Sequence, residues 1–109
     1  MSDARRAPRG VVDTVALRGR YFEVMQDTGR SQTAVMTIPP GEDAGPAEVH
    51  VGDQIIYVIE GRARVRVGDV ESEAGPGACV MIPAGTRHHV ENSGTAPLFC
   101  LTIYAPPVY

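Results

Sequence analysis

The sequence predicts an all-β sandwich or barrel, on three observations. No segment holds a 3.6-residue apolar period over a useful length. Apolar and polar residues instead alternate over short runs, and Gly and Pro punctuate those runs at regular intervals. Residues 54–59 are rich in β-branched side chains, the character of a buried strand. A chain of 109 residues is read as one domain. Residues 1–10, with Arg5, Arg6, Pro8 and Arg9, read as a flexible tail, and residues 11–109 as the barrel.

Taken in order, residues 21–26 form a first strand, turned by Asp27-Thr28-Gly29-Arg30. Residues 32–38 alternate and form a second strand, stopped by Pro39-Pro40-Gly41. A polar loop, 41–46, then delivers the chain to Glu48. After the strand at 54–59 comes a hairpin in which Arg62, Arg64 and Arg66 alternate with Ala63, Val65 and Val67 around a Gly68-Asp69 turn. That register sets Arg66 opposite Glu71 and Arg64 opposite Glu73, wet cross-strand ion pairs worth roughly 0.2–1 kcal/mol each. An anion-binding arginine strip is the alternative, and the facing glutamates argue against it. Residues 78–82 run into Pro83-Ala84-Gly85, a turn sharp enough to lay the next strand, 86–91, back along its neighbour. Residues 98–104 form the last strand, closed by Pro106-Pro107.

Composition bounds the function. Net charge is −3, with pI about 5.5, which argues against a nucleic-acid partner. No apolar run approaches the length of a membrane span, and the N-terminus lacks an apolar signal core, so a cytoplasmic location is expected. Lysine is absent, which excludes Schiff-base and P-loop chemistry. Cys79 and Cys100 make no disulfide scaffold and read as small buried apolar residues.

The residues that carry chemistry are Glu48, His50, Gln54 and His88. The first three share even parity, and even positions of a strand point to one face, although Gly52 interrupts the run before Gln54. Should the two segments be neighbours, two neutral imidazoles, a carboxylate and an amide oxygen converge on one divalent ion. A lone His on a strand is more often a hydrogen-bonded structural residue; two of them beside a Glu and a Gln weigh against that reading. His89 and Asp53 have the opposite parity and are expected to point away.

Gly77, Pro83, Gly85, His88 and Asn92 match the second cupin motif at every defining position. Gly45, His50, Tyr57-Val58-Ile59 and Gly61 resemble the frame of the first. The resemblance spans roughly residues 31–105 and implies a jelly-roll barrel, the double-stranded β-helix. It also implies a metal set of three His and one Glu. Here Glu48 stands where cupins usually have their first His, and Gln54 where they usually have Glu. Each set holds one carboxylate, displaced here rather than lost. Gln54 either ligates directly or hydrogen-bonds a water on the metal. Nitrogen and oxygen donors without thiolate suit Fe, Mn, Ni, Zn, Co or Cu.

Met36, Ile38, Ile56, Tyr57, Val90 and Tyr104 are expected to line a substrate pocket. The functions that follow are oxygenase-like, isomerase or lyase chemistry on a small organic substrate, or a non-catalytic module that senses a metal or small ligand. A metal-free sugar-nucleotide epimerase relative is a third reading, and the basic residues its diphosphate would need are missing. Open edges at residues 21–26 or 98–104 lead to an expected homodimer.

Overall fold

Burial along the third strand of the barrel shows how the sequence builds the sheet. Gln54, Ile56 and Val58 are buried, whereas Asp53 before them and Tyr57 between them are exposed, the two-residue period of a strand with one face inward. In this computed structural model the described residues are 10–109; residues 1–9, and with them nearly all of the expected tail, lie outside them. After a 3-10 turn at Thr14–Leu17 come β1 (Phe22–Asp27), β2 (Gln32–Ile38), β3 (Asp53–Glu60), β4 (Ala63–Val67), β5 (Val70–Ala74), β6 (Cys79–Ile82), β7 (His88–Asn92) and β8 (Leu98–Ala105). They form a five-stranded sheet, β1-β2-β8-β3-β6, and a three-stranded sheet, β5-β4-β7, with antiparallel pairing throughout. The architecture is the expected all-β jelly roll. No described helix is long and apolar enough to cross a membrane.

Between the sheets lies the main core, including Met36, Ile38, Ile56, Val58, Val65 and Leu98. A smaller cluster of Met25, Val35 and Phe99 is covered by Val12 and Leu17, so the segment ahead of β1 caps part of the large sheet. β8 therefore lies between β2 and β3 with both faces largely covered. It is not the open edge expected for residues 98–104, and the unbroken Leu98-Phe99-Cys100-Leu101 run is the signature of that central position. Among the described residues, the edge strands of the large sheet are β1 and β6.

The hairpin has the register read from its alternation, Arg64 opposite Glu73 and Arg66 opposite Glu71. Arg64 also reaches across β7 to Glu91, 3.1 Å from Nη1 to Oε1. Carboxylates thus neutralise Arg64 and Arg66 on an exposed face, where solvent screens such pairs and they add little to stability.

The Pro83-Ala84-Gly85 turn does not fold β7 back on β6. β6 ends in the large sheet and β7 begins in the small one, paired with β4. The turn carries the chain from one sheet to the other. The Asp53 carboxylate accepts from the Ala84 N–H at 2.9 Å, and Gly85, at φ +78°, donates its N–H to the His50 carbonyl at 2.9 Å. Cys100 is buried, and burial pushes its thiol up to about 12. Cys79, expected to be buried, is exposed, because β6 turns Cys79 and Met81 outward and Ile82 inward.

Candidate metal centre

Glu48 and His50 lie in the irregular stretch between β2 and β3, so strand parity does not place them. Backbone hydrogen bonds do. The Glu48 N–H donates to the His88 carbonyl and the His88 N–H to the Glu48 carbonyl, each at 2.9 Å. The His50 carbonyl takes the Gly85 N–H. The two motif segments are thus laced together by main chain. Gly52 also permits a close approach: a Cβ there would stand 2.7 Å from the Pro106 carbonyl oxygen.

One donor atom from each of Glu48, His50 and His88 lies within 4.8 Å of the others. His50 Nε2 is 3.6 Å from Glu48 Oε1. The imidazole centroids are 4.9 Å apart. His88 Nδ1–H donates to the Thr86 carbonyl at 3.0 Å, which leaves the Nε2 lone pair free to ligate. Burial first, and then the neighbouring His88, hold His50 below the usual imidazole range, while Glu48 pulls the other way. A ring kept neutral is a ring able to bind a cation.

Gln54, 4% exposed, borders the same cavity. Its Nε2 donates to Thr102 Oγ1 at 3.0 Å and to the Tyr104 hydroxyl at 3.2 Å, and its Oε1 is buried with no hydrogen-bond partner among the described residues. An orphaned buried carbonyl is costly, about 1–3 kcal/mol, and a cation or a donor in the cavity would relieve it. The donor set and this orphaned oxygen together fit a divalent ion.

The cavity has a volume of about 250 Å³. Of the expected wall residues, Met36, Val90 and Tyr104 border it. Ile38 and Ile56 instead pack in the core at 0% and 1% exposure. Tyr57, 44% exposed, lies on the outer face of β3, as its odd parity implies. Phe22, Tyr21 and Tyr109 join the wall without having been singled out by the sequence. His89 sits at the cavity border, its Nε2 3.1 Å from Asp43 Oδ2. The Gly45 N–H and then His89 hold the Asp43 carboxyl below its ordinary range. Among the described residues, Glu48 is the one carboxylate on the cavity wall, and no Arg borders it.

Two antiparallel sheets closed over a cavity with a Glu/His/His cluster define a small jelly-roll barrel with a candidate metal centre. Residues 34–104 match the cupin domain family, and the chain belongs to that family. It is 35% identical to YrkC of Bacillus subtilis over 104 residues, 88% of this chain and 55% of YrkC. It is 34% identical to L612 of Acanthamoeba polyphaga mimivirus over 96 residues, 83% of this chain and 59% of L612. The chain therefore spans little more than half of each of these relatives. The crystal structure of BH2720 from Bacillus halodurans superposes with a TM-score of 0.86 at 32% identity, covering 94% of this chain and 86% of that one.

Proposed function

We propose that Glu48, His50 and His88 hold one divalent metal ion, with Gln54 facing the same centre, and that the protein acts there on a small oxygen-bearing organic substrate. The observation that carries this reading is the convergence of the three donors within 4.8 Å. An ion of this ligand type supplies Lewis acidity or, as iron, a site for oxygenation. The chain supplies the rest. Met36, Val90 and the aromatic wall exclude water, while burial raises the Tyr104 and Tyr109 phenols above their usual range, so both stay protonated as hydrogen-bond donors. A dication beside one carboxylate leaves a single positive charge, which suits a neutral or singly charged oxygen chelator.

Elemental analysis should find about one divalent ion per chain in protein reconstituted with Fe, Mn, Ni, Co, Zn or Cu. Metal content should hold at neutral pH and fall as the imidazoles protonate. His50 is held low, so proton competition at that ligand begins below the reference value of about 6.5. Glu48, His88, Tyr104 and Tyr109 face it; burial and then His88 push the loss toward lower pH, and Glu48 acts the other way. Metal content flat into strongly acid solution would argue against His ligation. Turnover of diketones, flavonols, thiols or hydroxy acids, followed by O₂ consumption and product analysis, tests the enzyme reading. One observation favours a non-catalytic binding module: among the described residues, the wall offers, apart from the ligands, no acid or base other than tyrosines and a His89 engaged with Asp43. Saturable binding without turnover would support that module.

The same reading includes a two-fold homodimer, supported by the edge strands β1 and β6 and by exposed Tyr57 and Met81. Light scattering at micromolar concentration should return twice the chain mass. The mass of a single chain would remove the dimer and leave the metal site standing.

A further inference from the structure

We infer that the segment after β8, residues 106–109, is a working part of the metal centre, in which Tyr109 positions Glu48 and His50. This rests on the reading of those two residues as ligands. Three separate attachments hold the segment in place. The first is the close approach at Gly52, two residues beyond His50, where the Ala105 and Pro106 backbone leaves no room for a Cβ.

The second is Gln32, 1% exposed at the start of β2. Its Oε1 accepts from the N–H groups of Val108 at 3.2 Å and Tyr109 at 3.1 Å. Its Nε2 donates to the main-chain oxygen of Tyr109 at 2.7 Å and to Asp27 Oδ2 at 3.0 Å. A buried amide with every arm engaged sets the backbone of Tyr109 in one place.

The third is the ring itself. Its centroid lies 4.8 Å from Phe22, 5.2 Å from Tyr104 and 6.0 Å from His50, edge-on to the last two. Tyr109 shares the cavity wall with Glu48 and Tyr104, and burial, then the neighbouring Glu48 charge, keep its phenol protonated as a donor toward that carboxylate. Glu48 needs such a partner. Its backbone is pinned to His88, but its side chain is 47% exposed and otherwise has rotamer freedom to lose on binding a cation. A phenol that restricts that freedom orients the ligand before the metal arrives, as groups hydrogen-bonded to metal ligands generally do.

The test uses the full chain and Co(II) as probe. Tyr109→Phe keeps the ring contacts and removes the hydroxyl. Its Co(II) affinity should fall about tenfold, the low end for loss of a group supporting a ligand. Its visible Co(II) spectrum should shift, and the unfolding midpoint of the metal-free protein should stay at the wild-type value. Gln32→Ala should weaken Co(II) binding as well, and adding Tyr109→Phe to it should cost less than in the wild-type background, because both changes act through one placement. Wild-type affinity and spectrum in Tyr109→Phe would overturn the inference while leaving the metal reading intact. So would a loss of affinity matched by a fall in the metal-free unfolding midpoint. A wild-type protein that binds no Co(II) would overturn both.

Discussion

Replacing His88 by alanine is expected to abolish stoichiometric divalent-metal binding while leaving the barrel folded. The imidazole is one of three donors, and its Nε2 is the atom that the Thr86 carbonyl leaves free. Removing a direct ligand should cost more than the roughly 10–100-fold lost when a supporting group is removed, so the ion should be lost on ordinary dialysis. The fold should survive because the bridge between residues 48 and 88 is made by main chain, which alanine retains. The space vacated adjoins a cavity already present. Elemental analysis, with circular dichroism as control, checks this. A His88→Ala protein that keeps one ion per chain would place the metal elsewhere.

The second large effect concerns stability. Asn92 is 6% exposed; its Nδ2 donates to the carbonyls of Ile38 and Ala96, each at 2.9 Å, and its Oδ1 accepts from the Gly94 N–H at 2.8 Å. One side chain thus ties the end of β2 to the turn that leads into β8. Alanine leaves two carbonyls and an N–H without these partners. With net bond values near 0.5–1.5 kcal/mol, and more where a group is left buried and unpaired, Asn92→Ala should destabilise by about 3 kcal/mol. Against a usual total of about 5–15 kcal/mol, thermal unfolding should begin more than about 10 °C lower. Metal affinity of the folded protein at low temperature should not change. A melting midpoint within about 2 °C of wild type would show that the turn finds other partners.

Asn92 also shows what could be read from the chain alone. Its place in a motif was visible, but its three bonds depend on residues that only the fold brings near. Local alternation was enough for β2, whose bounds at Gln32 and Ile38 match the alternating run, and for the hairpin, where Gly68-Asp69 set the register of Arg64 and Arg66. Parity likewise sends Tyr57 outward, away from the pocket it was expected to line. Positions that depend on sheet order were not legible. Nothing local tells β8 that it will lie between β2 and β3, or the Pro83 turn that its two strands join different sheets.

The cluster of Glu48, His50 and His88 was legible through the spacing of two glycine-framed segments rather than through strand geometry, since residues 48–52 form no strand. Tyr109 was not legible at all. It lies beyond Pro106-Pro107, and its place is set by Gln32, 77 residues earlier. Gln54 was singled out as an atypical ligand, but the orphaned oxygen depends on Thr102 and Tyr104 taking up the amide nitrogen.

The half-exposed setting of Glu48 bears on the order in which the centre fills. The negative group stands at the doorway, whereas the neutral amide of Gln54 lies on the buried floor. An approaching cation is drawn in by that doorway, and an anion meets repulsion there until the cation is seated. On the metal reading, an anionic ligand would therefore have to follow the ion, whereas a neutral one would meet no such threshold.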